Sequence, residues 1–570
     1  MSYLTLKQIK NGGSRKTRKF QKFNQNFLNS LRRKSIGIYN NPFFSVDVKI
    51  WIFIPIYNFG NFLDSCFESL YKQTYKNFNI LVIDDCSTDN SPDIINKWSN
   101  RFDKYEVITN KSNRGPAYTK WQAISWVRER ARKNDIFSIL DGDDYFSTKV
   151  ALEIIVNKYL TTKCWTTYGS ADGKFSKKVN KLKQTNIAHI RTIEQFNFQH
   201  PRTCLCFLLD YIVKEDFMDS HGKWLKRVTD RQFIYKLFEL SGEEKICHIK
   251  QILYKYREHD DNARNKVSNT YKSEIVDYIS KTSPASLIKE KIHIVMCCYR
   301  RHENLKDIIG SIDKQSVASS IVFHIINTNP EKNKWAFLKK LITEDRLVKN
   351  IEIRICNTNE NLFGYARFIY TKYLMSIECI PYVIFIDDDQ KPTINWVENI
   401  YKTRSPLSYN CWFGRIFEKF NNVSKMDYWK GVASCNKSWL LPKYDSLKTF
   451  DYGGTGGCII DTNIFRFNVL FRCPKEYRNI EDLWLSFIVK QIVGGKINIF
   501  REKIDMHQFD NEKNTALWKS INDRKSTFLR SLVNLGYLKT HGFMGHKLNA
   551  YIEKDSDVEK SISQFTFYKL

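Results

Sequence analysis

Two runs of aspartate are the residues best equipped to do chemistry: Asp141-Gly142-Asp143-Asp144 and Asp387-Asp388-Asp389. Each directly follows a short apolar stretch, Ile136 to Leu140 and Tyr382 to Ile386. A carboxylate just past a buried strand lies at the strand's carboxyl end, where open α/β sheets take their ligands, and clustered carboxylate oxygens suit hard divalent cations. Together these features point to nucleotide diphosphate chemistry. A lone acidic turn that caps a helix would look the same, so the weight rests on what accompanies each cluster.

The elements that must position them recur twice in the same order. Ile50 to Ile54 is an apolar run ended by Pro55, followed by an amphipathic stretch from Phe62 to Tyr71. A second run, Phe78 to Ile83, ends at Asp84-Asp85, and a weaker strand covers Tyr105 to Thr109. The turn Asn113-Arg114-Gly115-Pro116 then opens a helix-like stretch that leads back to the strand before Asp141. This alternation predicts a parallel sheet with right-handed crossovers. After Ser283-Pro284 it restarts, with strands at Ile292 to Met296, Ile321 to Ile326 and Ile351 to Cys356. From Ile52 to Asp141 is 89 positions and from His293 to Asp387 is 94. Downstream, Thr229-Asp230 and Glu481-Asp482 each head an apolar-periodic segment, and a histidine follows each, His259 and His507. Landmarks in one order twice indicate a duplicated unit.

Bulk composition narrows the classes. At 570 residues, 42% of them hydrophobic, the chain has material for two large folded domains. The net charge of +29 invites a nucleic-acid reading, but ten basic residues precede Asp47 in a stretch without a single acid. That arm is expected to be flexible and to meet an anionic partner or simply aid solubility; the remaining surplus is spread without one long basic block and suits anionic substrates as well as nucleic acid, which ranks below the other expected partners. None of the 14 cysteines forms a Cys-x-x-Cys pair, which argues against zinc knuckles and for reduced thiols in a cytoplasmic compartment. No run reaches the roughly 20 apolar residues of a spanning helix, so a soluble or peripherally membrane-associated protein is expected. The abundance of Asn, Lys, Ile and Phe suits an AT-rich genome, such as that of a large DNA virus or a protist.

With these motifs assembled, the chain resembles the GT-A glycosyltransferases of family 2. The resemblance is carried by Pro55-Ile56-Tyr57-Asn58, Gln73-Thr74-Tyr75, Asp84 to Asp89, the Asp141-Gly142-Asp143 motif and the closing Tyr256-Arg257-Glu258-His259, and covers residues 47 to about 510. It implies an α/β protein of two tandem GT-A (nucleotide-diphospho-sugar transferase, Rossmann-like) domains behind the basic arm. The expected boundaries are 1–46 for the arm, 47–265 for domain 1, 266–290 for a linker, 291–510 for domain 2 and 511–570 for a C-terminal helical extension.

The resemblance also implies roles. Mn²⁺ or Mg²⁺ would be held by Asp143 with His259, and by Asp389 with His507. The nucleotide sugar would be met by Pro55, Tyr57, Asp85, Lys120 and Asp141, and by Tyr299, Arg367 and Asp387 in the second unit. Asp85 would read uracil, favouring a UDP donor, or else only organise its own turn. Lys120 stands where the family often has an arginine for the diphosphate, a charge without a bidentate fork. Asp230 and Asp482 would act as bases in an inverting transfer to a glycan or glycoprotein acceptor, unless they are plain helix caps. The second unit has Asn327-Thr328-Asn329 where Asp84-Asp85 stands in the first. That difference leaves open a bifunctional enzyme or one active unit beside a non-catalytic glycan-binding or scaffold unit. The loop Gly453-Gly454-Thr455-Gly456-Gly457 either lets backbone approach a ligand or is only a turn.

Overall fold

A computed structural model describes residues 46–172, 187, 189–193, 196, 198–259, 268–329, 340, 348–417, 432–435, 450–493, 495–500, 506–509, 521–534 and 565–569. Of the expected basic arm, only Val46 lies among them.

The first unit contains strands β1 (Ile50–Ile56), β2 (Phe78–Asp84), β3 (Tyr105–Thr109), β4 (Ile136–Ile139), β5 (Tyr145–Phe146), β6 (Thr166–Asp172), β7 (Gln199–Leu205) and β8 (Ile246–Lys255). Its helices are α1 (Gly60–Tyr71), α2 (Ser91–Ser99), α3 (Pro116–Arg128), α4 (Ala151–Thr162) and α5 (Thr229–Ser241). The sheet order is β3-β2-β1-β4-β7-β6-β8-β5. β1 is buried along nearly its whole length, which is why it reads as a continuous apolar run and not as an alternation. Helix α1 covers the sheet with Leu63, Cys66, Phe67 and Leu70, spaced three and four apart. Helix α3 starts at Pro116 behind Gly115, whose φ of +85° suits glycine.

Helix α6 (Asn269–Lys281) lies in the span expected to be a linker. Ser268 caps it by accepting from the Tyr271 N–H at 3.1 Å, and Ile275 and Ile279 give it a buried face, so the connection is partly an ordered helix. The second unit follows with β9 (Ile292–Cys298), α7 (Leu305–Asp313), β10 (Ile321–Asn327), β11 (Glu352–Thr358), α8 (Ala366–Ile377), β12 (Tyr382–Asp387), β13 (Gln390–Pro392), α9 (Trp396–Lys402) and β14 (Ser408–Cys411). It continues through β15 (Gly414–Phe417), β16 (Val432–Cys435), β17 (Tyr452–Gly453), β18 (Cys458–Asp461), α10 (Glu481–Ile488), β19 (Lys496–Ile499) and β20 (Met506–Gln508). The chain ends in α11 (Asn522–Asn534) and β21 (Phe565–Lys569).

The second large sheet runs β19-β14-β18-β12-β9-β10-β11-β21. Read from β11, its strands β11-β10-β9-β12-β18-β14-β19 repeat the spatial order β3-β2-β1-β4-β7-β6-β8. Polarity repeats as well: β18 is antiparallel to β12 as β7 is to β4, and β19 is parallel to β14 as β8 is to β6. The segment after 510 is not helical throughout. Helix α11 is followed by β21, which adds antiparallel to the edge strand β11; the aromatic run Phe565-Thr566-Phe567-Tyr568 favours an extended chain over a helix.

The two units share buried surface. Val46 bridges Phe467, and the Asp47 N–H donates to the Arg466 carbonyl at 2.8 Å. Arg466 in turn donates to the Asn134 carbonyl at 3.1 Å, Asn463 to the Leu160 carbonyl at 2.9 Å, and buried Lys163 pairs with Asp461. At the centre of this joint the Asp47 carboxylate accepts a fork from Arg132 at 2.6 and 2.8 Å and an ammonium proton from Lys372 at 2.6 Å. Burial acts to raise the Asp47 pKa, but Lys372 and Arg132 outweigh it and hold the carboxyl far below its ordinary range. An acid with a lowered folded pKa contributes stability above its unfolded pKa and loses it as pH falls. Asp47→Ala is therefore expected to lower the unfolding free energy by about 2 kcal/mol at neutral pH, because half-buried Lys372 loses its carboxylate partner while Arg132 keeps only Asp135. The difference should shrink in acid. Denaturant unfolding at several pH values tests this, and a pH-independent loss below about 1 kcal/mol, the worth of an exposed pair, would contradict it.

Candidate active site

In the first unit the loops after β1, β2 and β4 converge at one end of the sheet. The Asp85 N–H donates to the Ile56 carbonyl at 2.8 Å, which extends the pairing of β1 and β2 past their regular ends. The Asp85 carboxylate is buried and accepts from the backbone N–H groups of Arg114 at 3.0 Å and Gly115 at 2.7 Å, and from the Asn110 amide at 2.8 Å. Its visible role is to fix the loop that launches α3. Asp84 accepts from the Ser87 N–H at 3.1 Å. Tyr57 and Pro55 are half-buried at the mouth, and Asn58 and Cys86 both adopt left-handed backbone conformations there.

Asp141, Asp143 and Asp144 follow β4. Gly142 between them cannot be replaced without movement, since a Cβ would lie 2.9 Å from the Pro55 carbonyl and 3.0 Å from the Phe59 ring. The Asp143 carboxylate shares a hydrogen bond with His259 Nε2 at 2.9 Å, and the His259 ring lies against Phe62 with centroids 4.3 Å apart. Asp144 is fully buried and accepts from the Arg257 N–H at 2.8 Å. Burial, then the charges of Asp143 and Asp141, push the Asp144 carboxyl up to about 8. The Asp141 carboxyl is also raised, by burial first and then by Asp230 and Asp143 working against His200. Among the described residues neither Asp141 nor Asp144 makes an ion pair with a lysine or arginine, and burial and mutual crowding raise both carboxyls. The cluster is not a finished cage: no group of three or more metal-ligating side chains stands together among the described residues.

Asp230 heads α5 immediately after Val228, a β-branched residue at φ +70°. Its carboxylate is gripped from two sides, by Lys120 of α3 and by Arg202 of β7 at 2.6 Å. Lys120 also donates to the Thr229 hydroxyl at 3.2 Å and is 5% exposed, so in this state the lysine expected to face a diphosphate instead fixes the expected base. Burial acts to raise the Asp230 pKa, but Lys120, Arg202 and His200 hold it well below the ordinary range. His200 Nε2 stands 3.8 Å from Asp141 and 3.8 Å from Asp230, so a single imidazole links the acidic cluster to the base. Arg202 and His200 carry this arrangement through the antiparallel pairing of β7 with β4, which no local pattern announces.

The second unit places its counterparts differently. The Thr328 N–H donates to the Cys298 carbonyl at 2.9 Å, the equivalent of Asp85 with Ile56, so a threonine occupies the place of Asp85. Arg367, 4% exposed, donates to Asp387 at 2.9 Å. Arg301 donates to Asp388 at 2.8 Å and lies 3.2 Å from Asp389, while the Tyr299 N–H donates to Asp388 at 3.3 Å. His507 is exposed on β20 opposite Lys391 and makes no hydrogen bond or ion pair with Asp389. Asp482 accepts from the Tyr452 hydroxyl and pairs with Lys525 of α11 at 3.3 Å, facing away from Arg367. The acid beside Arg367 is Glu481, 3.9 Å away and 3.4 Å from the Thr455 hydroxyl. A Cβ on Gly456 would come within 2.2 Å of the Asp387 carboxylate, so the glycine-rich loop packs on that aspartate. Sequence reading overlooked Arg301 and passed over Glu481 for its neighbour; the signal for the first was a cation two residues beyond Tyr299.

Burial, opposed by Arg367 and aided by Asp482, pushes the Glu481 carboxyl up to about 7. The unfolded chain ionises this group near its ordinary value of 4.5, so the native state loses stability as pH rises between those values and no further above them. Glu481→Gln is expected to gain stability relative to the parent across that interval, with little difference below it. Urea unfolding across the range checks this, and a variant whose disadvantage grows with pH would show that Glu481 is a net stabilising anion.

Residues 51–213 match the family described as Glycosyl transferase family 2. Similar curated proteins include the glycosyltransferase GlyG of Streptococcus pneumoniae, 25% identical over 249 residues that make up 41% of this chain and 78% of that protein. Another is a poly(ribitol-phosphate) beta-glucosyltransferase of Bacillus spizizenii, 32% identical over 18% of this chain and 16% of its own. The chondroitin synthase of Pasteurella multocida is 25% identical over 39% of this chain and 22% of its own. The chain thus spans most of the first relative but under a quarter of the other two. Among solved structures, S. aureus TarS in complex with UDP-GlcNAc superposes over 39% of this chain and 62% of its own with a TM-score of 0.30 and 17% identity. The Pyrobaculum calidifontis mannosyltransferase PcManGT with GDP-Man and Mn²⁺ does so over 40% and 63% with a TM-score of 0.26 and 15% identity. No helix among the described residues is long and apolar enough to cross a membrane. The motifs of the first unit and the family match agree in marking residues 51–213 as a family 2 glycosyltransferase domain.

Proposed function

We propose that the first unit transfers a sugar from a nucleotide sugar, favoured to be a UDP-sugar, to a hydroxyl of a glycan or glycoprotein acceptor, with inversion and with the help of a divalent cation. The observation that carries this reading is the placement of His200 at equal distance from Asp141 and Asp230, which joins the acidic cluster and the base in one cleft. Asp230 would accept the proton of the acceptor hydroxyl as its oxygen bonds to the anomeric carbon, while the bond from that carbon to the diphosphate breaks and the diphosphate departs with the electron pair. Lys120 and Arg202 keep the carboxylate ionised and fix its direction, at the cost of basicity. When a diphosphate enters, it competes with Asp230 for Lys120, and a weakened pair would return basicity to the aspartate.

The crowded carboxylates of the cluster fit a cation, and Mn²⁺ or Mg²⁺ would be held by Asp143 and His259. Such a cation supplies Lewis-acid neutralisation of the leaving diphosphate. Tyr57 and Pro55 border the place for the base. Asp85, whose oxygens already hold the loop before α3, supports recognition by fixing that loop. TarS and PcManGT are described with UDP-GlcNAc and with GDP-Man plus Mn²⁺, ligands of the class proposed here. The second unit keeps the sheet topology but neutralises its own acids, which favours one transferring unit beside a binding or structural unit over two active ones.

Asp230→Asn is expected to lower kcat for sugar transfer by roughly 10² to 10⁴, the usual worth of a general base, without weakening UDP binding measured by calorimetry. A panel of UDP-, GDP- and CMP-sugars with Mn²⁺ supplies the assay. Turnover by the variant equal to that of the parent would overturn the assignment of the base.

A further inference from the structure

The two acidic clusters end equivalent strands, β4 and β12, yet their counter-charges differ. Tyr57 and Tyr299 each stand one residue past β1 and β9, which aligns Phe59 with Arg301. In the first unit the Phe59 ring packs beside Gly142 and against the edge of His259, with centroids 6.3 Å apart. In the second unit the corresponding residue sends a guanidinium into the cluster, 2.8 Å from Asp388 and 3.2 Å from Asp389.

We infer that Arg301 takes the electrostatic place of the divalent cation in the second unit, so that Asp387-Asp388-Asp389 is a cation-independent copy of the first cluster. This rests on the reading of Asp141 to Asp144 as the cation cluster. An arginine side chain stays protonated at any pH a folded protein meets, so its charge is a permanent occupant. A divalent ion arriving at Asp389 would have to displace the guanidinium or sit beside it, and either course forfeits charge-assisted hydrogen bonds. The remaining ligand positions are closed as well. Asp387 is held by Arg367 at 2.9 Å and packed against Gly456, and Asp388 accepts from the Tyr299 N–H. His507, the expected partner of Asp389, is exposed on β20 opposite Lys391 and makes no hydrogen bond or ion pair with Asp389. The same disposition sets half-buried Asp389 beside a guanidinium, whereas Asp143 shares a hydrogen bond with the imidazole of His259.

Mn²⁺ stoichiometry of the full chain, read by the loss of the free-ion paramagnetic resonance signal with UDP present, tests this directly. The parent is expected to bind a single equivalent that Asp143→Ala abolishes and Asp389→Ala leaves intact. Arg301→Gln should gain an equivalent, lost again when Asp389→Ala is added, whereas Arg301→Lys, which keeps the charge, should gain none; circular dichroism confirms that each variant is folded. A parent that binds two equivalents, one of them lost in Asp389→Ala, would overturn the inference, as would a folded Arg301→Gln that gains nothing. A parent that binds none, with an equivalent still gained by Arg301→Gln, would sink the first-unit cation reading and leave the role of Arg301 standing.

Discussion

Negative charge gathered at the carboxyl ends of the central strands is the constraint on which the rest of this molecule depends. A doubly wound sheet directs successive loops to one edge, and here those loops bring Asp141, Asp143 and Asp144 together on the first sheet and Asp387, Asp388 and Asp389 together on the second. Carboxylates this close raise one another's pKa and cost stability unless something positive is supplied. The first unit sets the imidazole of His259 beside Asp143 and places its nearby cations, Lys120 and Arg202, on Asp230. The second answers the demand internally with Arg301 and Arg367. One topology thus supports two electrostatic arrangements, one cluster with an imidazole partner and one paired with two guanidinium groups.

The joint between the units gives this contrast a structural setting. Asp47 lies just before β1 yet is held by Lys372 of α8 as well as by Arg132. Lys163 after α4 reaches Asp461 at the end of β18. These buried pairs connect segments far apart in sequence and carry little value singly as stabilisers, but they fix the relative position of two sheets that repeat one another strand for strand. A second unit without turnover can serve such a molecule by bracing the first, and its retained topology needs no catalytic explanation.

Much of the architecture was legible in the sequence because the buried strands are continuous apolar runs ended by acidic turns. Ile50 to Ile54, Phe78 to Ile83 and Ile292 to Met296 all fall within parallel strands, and the duplication showed in the spacing of the aspartates. What could not be read was anything fixed by pairing across the sheet. Arg202 reaches Asp230 only because β7 runs antiparallel to β4. Glu481 and Asp482 are adjacent, and which of them faces Arg367 depends on how α10 meets α11, a choice made when Tyr452 and Lys525 take Asp482. The helix between the units was missed for a simpler reason: its packed face, Tyr271, Ile275, Tyr278 and Ile279, is interleaved with polar and charged residues and only its two isoleucines are fully buried. Local chemistry was visible, whereas the partner of each charge was a property of the fold.

The most direct test of the central claim, that the first unit alone takes the nucleotide, is photolabelling of the full chain with 5-azido-UDP in the presence of Mn²⁺, followed by peptide mapping. The account predicts label on peptides that contain Pro55 to Phe59 or Asn110 to Gly115, protected by excess UDP. Protected label on peptides around Tyr299 or Thr328 would contradict it and make the second unit a nucleotide site in its own right.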